Sequence, residues 1–134
     1  MNTEYPDLKD MTAEEQRDLV CGLAAHMTPD LRVFVAGHSD THPAVVQLLS
    51  NDGNTDVRVA VARREDRNTS TINYQMRNDR APAVTAALAS NPYSTAPTLE
   101  ELADRSSKLT RLLVMNNDNC PEDVRERLTR EIYN

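Results

Sequence analysis

Four segments of this chain repeat one order of apolar and polar positions, beginning at Leu31, Val57, Val84 and Leu109, so that successive starts lie 26, 27 and 25 residues apart. Aligned from those starts, the fifth position reads Val35, Val61, Leu88 and Leu113, the sixth Ala36, Ala62, Ala89 and Val114, and the sixteenth Val46, Ile72, Leu99 and Val124. The pattern predicts two short helical pieces per segment. The first covers the opening residues (Leu31 to Gly37, Val57 to Arg63, Val84 to Ser90, Leu109 to Met115) and is apolar enough for burial on more than one side. A polar turn follows. The second piece starts near the thirteenth position, where Pro43, Pro97 and Pro121 stand in three of the four segments. Proline is favoured in a helix's first turn because its missing N–H has no intrahelical partner there. Thr41, Thr69, Thr95 and Asn119 lie at or just before that point as expected caps.

Units this short cannot bury a hydrophobic face alone, so they must stack. The expected architecture is an all-α solenoid of about four two-helix repeats, at 31–56, 57–83, 84–108 and 109–134, forming one structural domain overall. Ahead of it, residues 1–10 read as an irregular or loosely docked lead. Thr12-Ala-Glu-Glu15 then fits a capping box, and Leu19, Val20, Leu23 and Met27 form an apolar stripe. With its acidic outer face, the stretch 11–28 reads as the N-terminal capping helix of the stack.

Composition narrows the picture. The 134 residues contain one Phe, four Tyr and no Trp, so the core must be built from Ala, Val, Leu, Ile and Met in thin layers. The formal net charge of −6 is uneven: residues 1–30 carry seven acids against Lys9 and Arg17, which leaves the repeats close to neutral. An acidic chain is a poor general ligand for nucleic acid, whose affinity comes from neutralised phosphates. The exception is residues 57–80, where six arginines face three acids. Cys21 and Cys120 have no CxxC spacing, which argues against a disulfide framework and a tetrahedral metal site and suits a reducing cytoplasm. Three glycines, at 22, 37 and 53, leave no Gly-rich phosphate loop. With no run of eighteen apolar residues and no signal-like opening, neither a membrane span nor secretion is expected.

The third and fourth units, Val84-Thr-Ala-Ala-Leu-Ala-Ser-Asn-Pro-Tyr-Ser-Thr-Ala-Pro-Thr-Leu-Glu-Glu-Leu-Ala and Leu109-Thr-Arg-Leu-Leu-Val-Met-Asn-Asn-Asp-Asn-Cys-Pro-Glu-Asp-Val, together with Asp56-Val-Arg-Val-Ala-Val-Ala62, resemble the leucine-rich repeat variant family of bacteria. The resemblance covers about residues 31–134; HEAT-like repeats, whose units usually run longer, are the nearest competing architecture. The resemblance implies a right-handed superhelix of alternating α and 3₁₀ helices joined by Asn-Pro and Thr-Pro turns, and says almost nothing of activity. Two departures stand out. Unit 2 has Arg64-Glu-Asp-Arg-Asn-Thr69 where those turns are expected, and the chain lacks the cysteine-rich iron–sulfur segment that some members carry, so no cofactor is carried over.

Three groups of residues invite chemistry. His38, Asp40 and His42 share the first turn, but no further ligand stands at suitable range, and such residues favour turns for conformational reasons. His26 ends the capping helix, where a cation suits the dipole. Cys120 precedes Pro121 at the head of the last helix, where a helix N-terminus lowers a thiol's pKa, but no base accompanies it. The arginines carry the most information. Arg63, Arg64 and Arg67 crowd one turn, with Arg77 further along the same basic stretch, and guanidinium groups suit bidentate recognition of carboxylate or phosphate. Glu65 and Asp66 supply partial compensation within that turn.

The resulting expectation is a cytoplasmic, non-enzymatic interaction module with a protein partner bound through Arg63, Arg64, Arg67 and Arg77, and with no catalytic residue and no metal. Two alternatives stand beside it. One is a nucleic-acid-associated protein using the unit 2 arginines; the other is a small acidic inhibitor of a nucleic-acid-handling complex, with Glu14, Glu15 and Asp18 as the contact. Ile132 and Tyr133 in the last unit are further candidates for self-association.

Overall fold

The computed structural model describes residues 5–22, 28–66, 70–105 and 107–133, and among these it is all-helical. Nine α-helices follow one another: α1 (Ala13–Cys21), α2 (Asp30–Gly37), α3 (Pro43–Leu49), α4 (Thr55–Ala62), α5 (Ser70–Gln75), α6 (Pro82–Ser90), α7 (Ala96–Arg105), α8 (Lys108–Met115) and α9 (Glu122–Tyr133), with a 3₁₀ turn at Met76–Asn78. No described helix is long and apolar enough to cross a membrane. Each expected first piece is a helix, starting one or two residues earlier than the apolar pattern suggested, because Pro82 and the polar residues Asp30, Thr55 and Lys108 fill first-turn positions. The chain forms two compact units, Met1–Val61 and Ala62–Asn134.

In the first unit, α1 packs on α2 and α3. The capping box forms as expected: Glu15 N donates to Thr12 Oγ1 (3.1 Å) and Thr12 N to Glu15 Oε1 (3.0 Å). In the described part of the lead, Leu8 is fully buried and Tyr5 stacks on Phe34 of α2 with ring centroids 4.5 Å apart. On α1, Val20 is buried and Leu19 half-buried, whereas Leu23, Met27 and His26 lie outside the described residues. The most buried α1 side chain is Gln16, which sequence reading left aside. Its Nε2 donates to Leu8 O (3.2 Å) and Asp40 O (3.0 Å), and its Oε1 accepts from His42 N (2.8 Å), joining the lead, α1 and the first turn. Arg32 and Asp52 form a two-pronged ion pair at 2.8 and 3.2 Å.

In the second unit, α6 packs on α7 and α8, and α8 on α7 and α9. A recurring turn follows the first helix of three segments. His38, Asn91 and Asn117 each accept, on a side-chain atom, from the N–H two residues on: Nδ1 from Asp40 at 3.0 Å, Oδ1 from Tyr93 at 2.8 Å and Oδ1 from Asn119 at 2.9 Å. These are side-chain mimics of a backbone turn, which explains how so few glycines suffice. Thr41 and Ser94 end two of the turns and donate to Val35 O and Leu88 O, each at 2.6 Å. Thr41 is therefore not a helix cap: His42 holds that place on α3 without a side-chain bond. Thr95 directly precedes α7, and Thr69 lies outside the described residues.

The turns reset the fourth segment's register. Asn117 matches Asn91, so the segment starts at Thr110, which is 1 % exposed, and not at Leu109, which is 62 % exposed. The buried fifth-position residue is then Val114, while Leu113 is only half-buried. Val124 pairs with Val45 and Thr98, and the sixteenth position passes to Arg125. An alignment of apolar residues with one another chose Leu109 because the buried position there is a threonine, whose N–H is bonded by the Ser107 cap.

Candidate functional site

Asn91 and Asn117 have a second task. Asn91 Nδ2 donates to Ala62 O and Arg64 O, both at 2.8 Å, and Asn117 Nδ2 donates to Ala89 O and Asn91 O, both at 2.9 Å. Each buried amide thus takes the carbonyls left over at the end of the preceding first helix, which have no intrahelical donor. Arg125 serves the end of the fourth first helix from within the same segment, its Nε on Met115 O (3.0 Å) and its Nη2 on Asn117 O (3.1 Å). Asn119, expected as a cap, instead donates to Pro92 O (2.7 Å) and Ser94 O (3.0 Å) of the preceding turn.

This ladder fixes residues one period apart beside each other, and that determines which arginines meet. Arg64 is 6 % exposed, with its Nη2 3.5 Å from Asp66 Oδ2; it is a buried residue of the turn and not part of a surface patch. Arg63 is exposed, and Arg67 lies outside the described residues. The turn directs Arg64 inward, so it does not share an exposed face with Arg63.

Arg77 belongs to a different grouping. A cleft of about 320 Å³ is lined by Arg77, Asn78, Asp79 and Arg80, by Pro82 and Thr85 of α6, by Arg105 at the end of α7 and by Ser107 just before α8. Arg77 is held in place: its guanidinium carbon sits 3.9 Å from the Tyr74 ring centroid and its Nη1 donates to Tyr74 O at 2.8 Å. Cation–π packing of this kind fixes the plane of the guanidinium without neutralising it. Arg77 Nε is buried without a hydrogen-bond partner among the described residues. Arg105 Nη1 donates to Asn78 Oδ1, and its Nη2 lies 3.4 Å from Glu101 Oε2 on a pair that is largely open to water. Arg80 is exposed, and among the described residues neither it nor Arg77 is paired with an acid. Asp79 Oδ1 accepts from Ala81 N (3.0 Å) at the head of α6.

Sequence reading missed Arg105 as a site residue and left Arg80 unassigned. The signal was available: Arg105 follows Arg77 and Arg80 by about one repeat period, and a stack brings such positions together. Two other clefts carry less charge. One holds the already paired Arg32 and Asp52; the other is lined by Ser90, Pro92, Leu113 and the turn 116–119.

The remaining candidates have structural occupations. His38 closes its turn and His42 Nε2 is 3.2 Å from Met11 O. Among the described residues no group of three or more His, Cys, Asp or Glu could hold a metal ion. Cys120 is buried, and burial pushes its thiol pKa up, outweighing the nearby Arg125 that pulls it down; the activation expected from a helix N-terminus is not what its surroundings produce. No protein-family model, curated protein or solved structure matches the chain.

Proposed function

We propose that this protein is a non-enzymatic helical-repeat module, of the leucine-rich repeat variant kind, whose stacked units hold a partner protein at the Arg77–Arg80–Arg105 cleft. The observation that carries the reading is the pair Asn91 and Asn117, 26 residues apart, each of which bonds the backbone of the preceding segment. Such coupling of each repeat to its neighbour is what a solenoid requires. The cleft adds three cations from two successive repeats at one place, matched to an acidic group on the partner.

A tagged full-length chain is used to recover companions from its native lysate, with and without nuclease, beside an Arg80→Glu, Arg105→Glu variant. A discrete protein that survives nuclease and is lost with the variant supports the reading. Companions that vanish with nuclease put the arginines on nucleic acid, and recovery unchanged by the variant moves the contact away from the cleft.

A further inference from the structure

We infer that the cleft of Arg77, Arg80 and Arg105 binds a phosphomonoester, presented by a phosphorylated segment of the partner. The inference rests on the partner reading above and specifies its chemistry. Three guanidinium groups around one cleft exceed what a carboxylate, with one charge and two oxygens, can use. A phosphoryl group at neutral pH carries close to two charges and three acceptor oxygens, and orders itself against clustered arginines. Ser107 and Thr85 also line the cleft, but their hydroxyls donate to Thr110 Oγ1 (3.4 Å) and Pro82 O (3.2 Å), so the guanidinium groups are the donors it offers. Arg105 keeps its charge available because its pair with Glu101 is long and water-exposed and its other bond is to the neutral Asn78 amide, which also lines the cleft. Arg77 is pre-oriented on Tyr74, so its ordering is already complete before the ligand arrives.

A nucleic acid strand fits less well. Strand binding draws its affinity from charges spread along the backbone, whereas here the cations are concentrated. Asp79 lines the cleft itself, Glu101 and Asp104 lie on the C-terminal half of α7, and the chain is at −6.

The test is titration of the full chain with inorganic phosphate and with O-phosphoserine at constant ionic strength, followed by arginine side-chain NMR signals. Saturable binding that Arg80→Gln with Arg105→Gln weakens at least tenfold, while Arg130→Gln on the exposed face of α9 leaves it unchanged, supports the site. Thermal melting of each variant separates loss of binding from loss of fold. Absence of saturable binding, or equal weakening by Arg130→Gln, overturns it. So does a single-stranded oligonucleotide that competes through Arg80 and Arg105 more tightly than phosphoserine. A protein companion recovered equally from phosphatase-treated lysate, with no phosphate binding, overturns this inference and leaves the repeat-module reading standing. Saturable phosphate binding with no protein companion keeps the phosphate site and overturns the partner reading, and with it a phosphorylated protein segment as the source of the phosphate.

Discussion

In residues 62–134 the carbonyls at the end of one first helix are taken by an asparagine from the next repeat, whereas in residues 1–61 the buried amide that ties elements together, Gln16, comes from a helix that precedes the repeats. Both are primary amides bonding to backbone, and both are almost wholly shielded from water: Gln16 is 0 % exposed, Asn91 4 % and Asn117 7 %. The difference lies in where the donor sits along the chain. Asn91 and Asn117 are 26 residues apart and recur with the period, so each also closes its own turn through Oδ1. Gln16 has one extra methylene and spends both ends on other segments, while the turn at His38 is closed by an imidazole nitrogen. In residues 62–134 one residue serves both its own turn and the preceding segment's carbonyls, whereas in residues 1–61 two residues, His38 and Gln16, divide those tasks.

The largest effect expected is from emptying the ladder. Asn117→Ala leaves Ala89 O and Asn119 N without their partners, while Asn91 O keeps the Ser94 N–H; with an unsatisfied buried group costing about 1–3 kcal/mol, the loss is roughly 3 kcal/mol. Asn91→Ala behaves alike. Asn117→Asp is worse, since it sets a carboxylate against two carbonyl oxygens. Gln16→Ala, which takes their partner from Asp40 O and His42 N while Leu8 O keeps the Met11 N–H, falls in the same range. Urea unfolding of the full chain measures all four, and a loss under about 1 kcal/mol at Asn91 and Asn117 beside a large loss at Gln16 would mean that the ladder is incidental.

Arg125 comes next. It serves Met115 O and Asn117 O as an asparagine would, but from a half-exposed side chain that also pairs with Glu122 at 2.7 Å. Water replaces part of what is lost, so Arg125→Ala is expected to destabilise by about 1.5 kcal/mol. Arg125→Lys does not restore it, because one ammonium lacks the planar fork that spans two carbonyls. Full rescue by lysine would show that charge alone matters.

At the other end of the chain, Thr12→Ala removes one half of the capping box and is expected to cost about 1 kcal/mol. The box also brings a pH dependence. The hydrogen bonds from Thr12 hold the Glu15 carboxyl below its ordinary value of 4.5, so the carboxylate is the form the fold prefers. Its contribution is complete above that value and is lost as pH falls through and below it. Melting temperature against pH, compared with Glu15→Gln, checks the sign: the variant loses part of this acid sensitivity.

The first helices and the capping box were legible because both are local: an apolar run, or two polar residues three apart, fixes them. The core columns of the first three segments were legible for the same reason. The fourth was misread by one residue because the alignment rewarded Leu109 over Thr110, and burial there depends on the Ser107 cap and not on hydrophobicity. Correctly placed, the sixteenth position holds Arg125 where Val46 and Leu99 are buried, so the residue that serves the end of the fourth first helix stood in a column read as core. The arginine site was half legible. Composition found the basic stretch, but which guanidinium groups meet depends on the fold: Arg64 turns inward, and Arg105 arrives from the next repeat.

The smallest effect tests the turn itself. Cys120 stands where Thr41 and Ser94 stand, with its N–H on Asn117 O as theirs are on His38 O and Asn91 O. Those hydroxyls donate at 2.6 Å to the carbonyl six residues back, whereas the Cys120 thiol lies 3.5 Å from Pro121 O. Cys120→Ser therefore gains the bond to Val114 O that the other turns have, while giving up a polarisable sulfur in an apolar site, and the two offset to within about 1 kcal/mol. A larger loss would mean that this turn is packed around sulfur and is not equivalent to the other two. The same burial separates the two thiols: exposed Cys21 reacts with a disulfide reagent at neutral pH, and Cys120, its pKa raised, reacts only as the chain unfolds. Equal rates in the folded protein would show that the turn opens without global unfolding, and the ladder variants would then accelerate Cys120 alone.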